Sequence, residues 1–248
     1  MVWSLGLSGA DGSASFEHDS YSTRIARTSA GTTQNYVINY ALPLHPVSVV
    51  RQGSQDRRYY IYLPPEGTLL YSIDAADNRR RFYHFDEIGT TLFLTDDAGA
   101  ITDTYAITPY GEQVDRTGSA ENPFTFLGAY GVTQEGSTGL YYMGFRWYDS
   151  TTARFLTRDP LPGLAPKALN RYQYAFGNPL VSLDPQGKGS RAGRAGNQAE
   201  GIWGQLVLEM PELLRRIRGS NENIAPRLTL GILQILRGAE LRKETDRE

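Results

Sequence analysis

Two aspartates, Asp159 and Asp184, each followed by proline, are the residues of this 248-residue chain whose types could carry chemistry. Two carboxyls held close together cannot both ionise without cost, so they share a proton. One group can then activate water while the other polarises a carbonyl, the division of roles that peptide hydrolysis needs. Asp-Pro is equally a common turn opener, and spacing alone does not bring the two together.

The rest of the composition excludes more than it offers. Cysteine is absent, which removes disulfides and thiolate metal sites. His18, His45 and His84 lie far apart, none has a partner at metal-ligand spacing, and packing or turn roles are expected of them. The chain has no P-loop ending and no nucleophile elbow. No metal and no cofactor are therefore expected. A formal net charge of -2 gives no electrostatic reason to expect nucleic acid, and the short run Arg79-Arg80-Arg81 fits a solvated strand edge. No small-molecule substrate is indicated.

The elements that must hold the aspartates are strands. Residues 36–40, 59–63, 69–73, 81–85, 91–95 and 101–106 are β-branched or aromatic runs of strand length, separated by Gly, Asn and Asp turns. Sixteen tyrosines suit half-buried pleated surfaces, ring packed and hydroxyl at the rim. An aromatic or apolar residue before an aspartate returns at His18-Asp19, Ile73-Asp74 and Phe85-Asp86. That repetition predicts stacked hairpins, each burying its face on the next; an ordinary β-sandwich fits the periodicity equally well.

Motif order separates the two. His18 to Arg27, Phe82 to Thr90, Tyr105 to Gly111 and Asn122 to Gly128 are followed by the tyrosine-rich 139–187 stretch with its two Asp-Pro pairs. The series resembles the RHS/YD-repeat proteins and their C-terminal core over roughly residues 17–187. The resemblance implies a mainly β fold: a spiralling sheet of YD-type hairpins over residues 1–138, forming part of an RHS shell, and an inward plug at 139–187. It also implies that Asp159 and Asp184 pair as an intramolecular aspartic protease, with Arg158 as a supporting neighbour and the cut in the region of Gly187 and Lys188. Two departures bear on activity. The first motif, Asp159-Pro160-Leu161-Pro162-Gly163-Leu164, carries one residue more than the family's pattern, and Lys188 stands where that pattern has an apolar residue. A lysine there is expected to weaken an apolar pocket holding the scissile strand.

Within the plug, Tyr141, Phe145, Trp147, Tyr148 and Phe155 are expected in the core and Tyr142 at a more exposed position. After Gly187, residues 188–198 have the small, polar and basic character of a linker. Apolar residues then recur at helical spacing, which predicts a helical tail over 199–248 broken at Pro211. Interleaved Glu209, Glu212, Glu240 and Glu244 argue against membrane contact by that tail. The function implied is the C-terminal part of an RHS shell or scaffold, self-cleaving at most, with other shell segments or copies of itself as partners. An encapsulating shell of this family needs more repeats than this length supplies, which implies a fragment of a longer protein, a partner of another shell piece, or a degenerate short gene. Two alternatives stand beside it: a subunit that self-assembles through strand edges into an oligomer or fibre, and a toxin precursor that releases the tail. The family implies a bacterial secreted or cell-surface setting, and MVWSLGLSGADGS has no signal-peptide pattern.

Overall fold

A computed structural model describes residues 3–9, 12–136, 138–160 and 170–188. The expected helical tail and the linker beyond Lys188 lie outside the described residues, as does the extra residue of the first Asp-Pro motif. Eleven strands come first: β1 (Trp3–Gly9), β2 (Gly12–His18), β3 (Arg24–Ser29), β4 (Thr32–Ile38), β5 (Val47–Gln52), β6 (Gln55–Leu63), β7 (Thr68–Asp74), β8 (Arg80–Phe85), β9 (Thr91–Thr95), β10 (Ile101–Ile107) and β11 (Gln113–Thr117). They make one sheet in which each strand pairs antiparallel with its sequence neighbours. An order without a crossover is a run of hairpins and not a sandwich, so the stacked-hairpin expectation holds.

The repeated aspartates explain the regularity. Asp19 Oδ1 accepts the backbone N–H groups of Tyr21 and Thr23, each at 2.9 Å. Asp86 Oδ1 accepts those of Ile88 and Thr90 at 3.1 and 2.8 Å, and Asp96 Oδ1 those of Ala98 and Ala100 at 2.9 Å. In all three turns the aspartate's own N–H bonds the carbonyl four residues on, at 2.9–3.0 Å. The side chain thus satisfies the donors that a tight connection leaves unpaired, and it fixes the turn from within four residues of sequence. Arg79, Arg80 and Arg81 differ from expectation: they run into β8, an interior strand, where Asp77 and Asp97 pair Arg79 and Arg80 at 2.5 and 2.8 Å.

One face of the sheet buries Tyr60, Tyr62, Leu69, Tyr83, Leu94 and Tyr105. The chain after β11 turns back over that face. Phe124 meets the Tyr60 ring edge-on at 4.8 Å, and the Thr91 N–H donates to the Thr125 carbonyl at 2.9 Å. Burying rings of this size stabilises by about 1.5–3 kcal/mol each.

A 3-10 turn (Gly128–Tyr130) leads into a second sheet of four strands: β12 (Thr133–Gln134), β13 (Leu140–Met143), β14 (Arg146–Asp149) and β15 (Arg154–Phe155). It is covered on both faces. Tyr141, Tyr148 and Phe155 share one cluster with Phe126 and Tyr174. On the other face Trp147 packs 4.9 Å from Phe16, and Tyr142 5.8 Å from His18, both on β2. Arg24 of β3 closes this seam. It is buried among the rings of Phe16, Tyr36, Tyr142 and Trp147, donates to Thr133 Oγ1 at 2.6 Å and lies 3.6 Å from Glu135. Of the expected core rings, Tyr141, Trp147, Tyr148 and Phe155 are buried and Tyr142 is half-buried. Phe145 is not buried, because it occupies the two-residue turn Gly144–Phe145 rather than a strand, and the residue is 40% exposed.

Candidate active site

The β13–β14 hairpin carries an arginine at its first inward position, and that side chain organises the site. The Arg146 guanidinium lies 3.5 Å from the centroid of the Phe155 ring, an attractive placement for a cation. Its Nη2 donates to Asp159 Oδ2 at 3.1 Å and to Asp184 Oδ2 at 2.9 Å. One nitrogen serving both carboxylates holds their oxygens within about 6 Å of each other. Nη1 donates to the Arg171 carbonyl at 3.2 Å, and Nε to the Gly187 carbonyl at 2.5 Å.

Each carboxylate is fixed by a different stretch of chain. The Asp159 N–H donates to the Arg171 carbonyl at 2.9 Å, while Arg171 returns a bond to the Asp159 carbonyl. Asp184 sits in a short turn closed by the Gly187 N–H on its carbonyl at 3.2 Å, and its Oδ1 accepts the Lys188 N–H at 3.2 Å. Asp184 is buried and Asp159 half-buried. Gly187 has φ +63°, and a Cβ there would stand 2.7 Å from the Met143 carbonyl oxygen. Only glycine lets the chain pass so close to the hairpin.

Electrostatically the arrangement differs from a bare carboxyl pair. The Arg146 guanidinium bonds one oxygen of each group, so a fixed cation offsets repulsion between the two carboxyls. Burial draws the Arg146 pKa below the ordinary arginine value, against the opposing pull of Asp184 and Asp159. Arg158, expected as the supporting group, has an exposed side chain. The guanidinium that bonds both carboxyls is that of Arg146. The missed signal was the strand itself: an arginine amid Met143, Trp147 and Tyr148 needs a buried partner. Lys188 also departs from expectation, since its ammonium lies 3.5 Å from the centroid of the Phe145 ring. Among the described residues no group of three or more His, Cys, Asp or Glu side chains could hold a metal ion. His18 packs in the seam and His84 stacks on Phe93 at 4.3 Å.

No family model matches the chain. Curated relatives match parts of it. The tRNA3(Ser)-specific nuclease WapA of Bacillus spizizenii is 28% identical over 182 residues, 70% of this chain and 7% of that protein. Double-stranded DNA deaminase toxin A of Burkholderia cenocepacia is 38% identical over 122 residues, 46% of this chain and 8% of the relative. Toxin protein Tse5 of Pseudomonas aeruginosa is 34% identical over 118 residues, 45% of this chain and 8% of the relative. The chain therefore spans less than a tenth of these proteins. Among solved structures, the TcdB2-TccC3-Cdc42 crystal structure superposes with a TM-score of 0.55 at 18% identity, covering 79% of this chain and 10% of that one. The fold is shared with that assembly, and the chain is similar to short stretches of much longer RHS-repeat toxins.

Proposed function

We propose that the described residues form the C-terminal end of an RHS-type shell, whose plug presents its own Gly187–Lys188 peptide to the Asp159/Asp184 pair for hydrolysis. One observation carries the reading: that peptide is gripped on both sides. Its carbonyl accepts from Arg146 Nε at 2.5 Å, and its N–H donates to Asp184 at 3.2 Å. A guanidinium on the carbonyl oxygen stabilises negative charge developing there. Asp159 takes a proton from the attacking water, whose oxygen bonds to the Gly187 carbonyl carbon. The C–N bond then breaks, and the proton that Asp159 took from water passes to the departing Lys188 nitrogen, which Asp184 holds in place. Water is consumed and no other reactant is needed. Relatives named for such different activities as a tRNA nuclease and a DNA deaminase each match part of this chain, which fits a common processing step better than either chemistry.

Intact mass and denaturing electrophoresis of freshly made protein test the proposal. Breakage between Gly187 and Lys188 is expected, with Asp159→Asn and Asp184→Asn each preserving the whole chain. A folded wild type that stays whole for days, or asparagine variants cut at the wild-type rate, would sink it.

A second reading, assembly through strand edges, draws on β11. Among the described residues it pairs only with β10, and all five of its residues are exposed. An unpaired edge of that kind is a template for another strand. Molar mass in solution decides: oligomers abolished by a Val114→Pro change would favour edge pairing, and a monomer at all concentrations would end it.

A further inference from the structure

The turn that carries Phe145 contacts the residues on either side of Gly187. Its backbone N–H donates to the Gln186 carbonyl at 3.0 Å, and its ring faces the Lys188 ammonium at 3.5 Å from the centroid. The same turn therefore meets the main chain before Gly187 and the side chain after it. Gly144 makes this approach feasible: at φ +62° its missing Cβ would lie 3.0 Å from the Gln186 carbonyl oxygen. The negative face of an aromatic ring attracts a cation and gives no such term to a neutral side chain of equal length. Lys188, a misfit for an apolar pocket, thus has a partner of complementary chemistry.

We propose that Phe145 is a specificity-determining residue of this site, its ring forming a subsite for a cationic side chain at position 188. The inference rests on the self-cleavage reading and adds a selection rule to it. The ring does not touch the reacting atoms; it raises the fraction of chains in which the 186–188 segment is seated against Arg146 and Asp184.

The experiment is a rate comparison on the full chain, with the cut followed by mass spectrometry. Phe145→Leu keeps apolar bulk and removes the ring face. It should slow cutting by about two- to fivefold when residue 188 is lysine, and by less than twofold in a Lys188→Gln chain. The larger loss should return in a Lys188→Arg chain. Equal losses in the lysine and glutamine chains, or none in either, would overturn the subsite. A second readout is independent of cutting. In uncut Asp184→Asn protein, the ε-methylene protons of Lys188 should show an upfield ring-current shift that Phe145→Leu abolishes, and random-coil positions there would refute the contact. If no variant is cut, wild type included, the cleavage reading itself fails, whatever the ring-current shift reports.

Discussion

The long sheet and the four-stranded sheet are both antiparallel β-structure, yet they are specified in opposite ways. In the sheet each hairpin carries its own instructions, as Asp19, Asp86 and Asp96 set their turns with bonds to residues two and four positions on. The four-stranded sheet depends on partners far away in sequence. Arg146 binds groups on residues 159, 171, 184 and 187, and Arg24 reaches Thr133 across the seam. Local coding tolerates single losses, whereas a network held by one buried cation does not.

The largest effect should therefore come from Arg146. Arg146→Met leaves Asp184 buried without its cation and should cost about 3–5 kcal/mol in urea unfolding. A loss under ~1 kcal/mol would erase the contrast between the two sheets. Next comes Trp147→Ala, which empties the seam beside Phe16 and should cost about 3–5 kcal/mol, somewhat less if the seam collapses.

The third test uses pH. Burial foremost, and then Arg24, hold the His18 pKa down at about 4, against the opposing pull of Asp19. In the unfolded chain the ordinary value is about 6.5. Between these values the unfolded chain takes up a proton that the folded chain refuses. Stability is then full above pH 6.5 and declines as pH falls toward 4, by roughly 3 kcal/mol at most. Stability curves for wild type and His18→Gln should diverge in that window, and parallel curves would show that His18 does not sense it. The smallest effect belongs to the meander: Asp96→Ala should cost about 1 kcal/mol, because the freed N–H groups of exposed Ala98 and Ala100 can turn to water. A loss as large as that of Arg146→Met would mean the hairpins are not autonomous.

The same contrast explains which elements were legible in the sequence. Turn aspartates and aromatic runs act over a few residues, so β6 to β10 were legible as strands and the hairpin stack as a fold. The strands Gln113–Thr117 and Gly12–His18 were not, being polar or small in composition, and their pairing comes from neighbours. The aspartate pair was legible only through the order of motifs. Its cation was not, because Arg146 and Asp184 meet across a distance in the chain that no local pattern encodes. Phe145 belonged to an aromatic alternation that a turn interrupts, and Gly144 was the mark of that turn.

The bond from Arg146 Nε to the Gly187 carbonyl would outlast a cut. Hydrolysis there would turn that carbonyl into a terminal carboxylate, an anion born already in the grip of a guanidinium. The new amine on the other side would carry a positive charge and be free to leave with the rest of the chain. The spent plug would keep its own end as a bound inhibitor, making the reaction a single irreversible event. A fresh substrate strand offered from outside would find the seat taken.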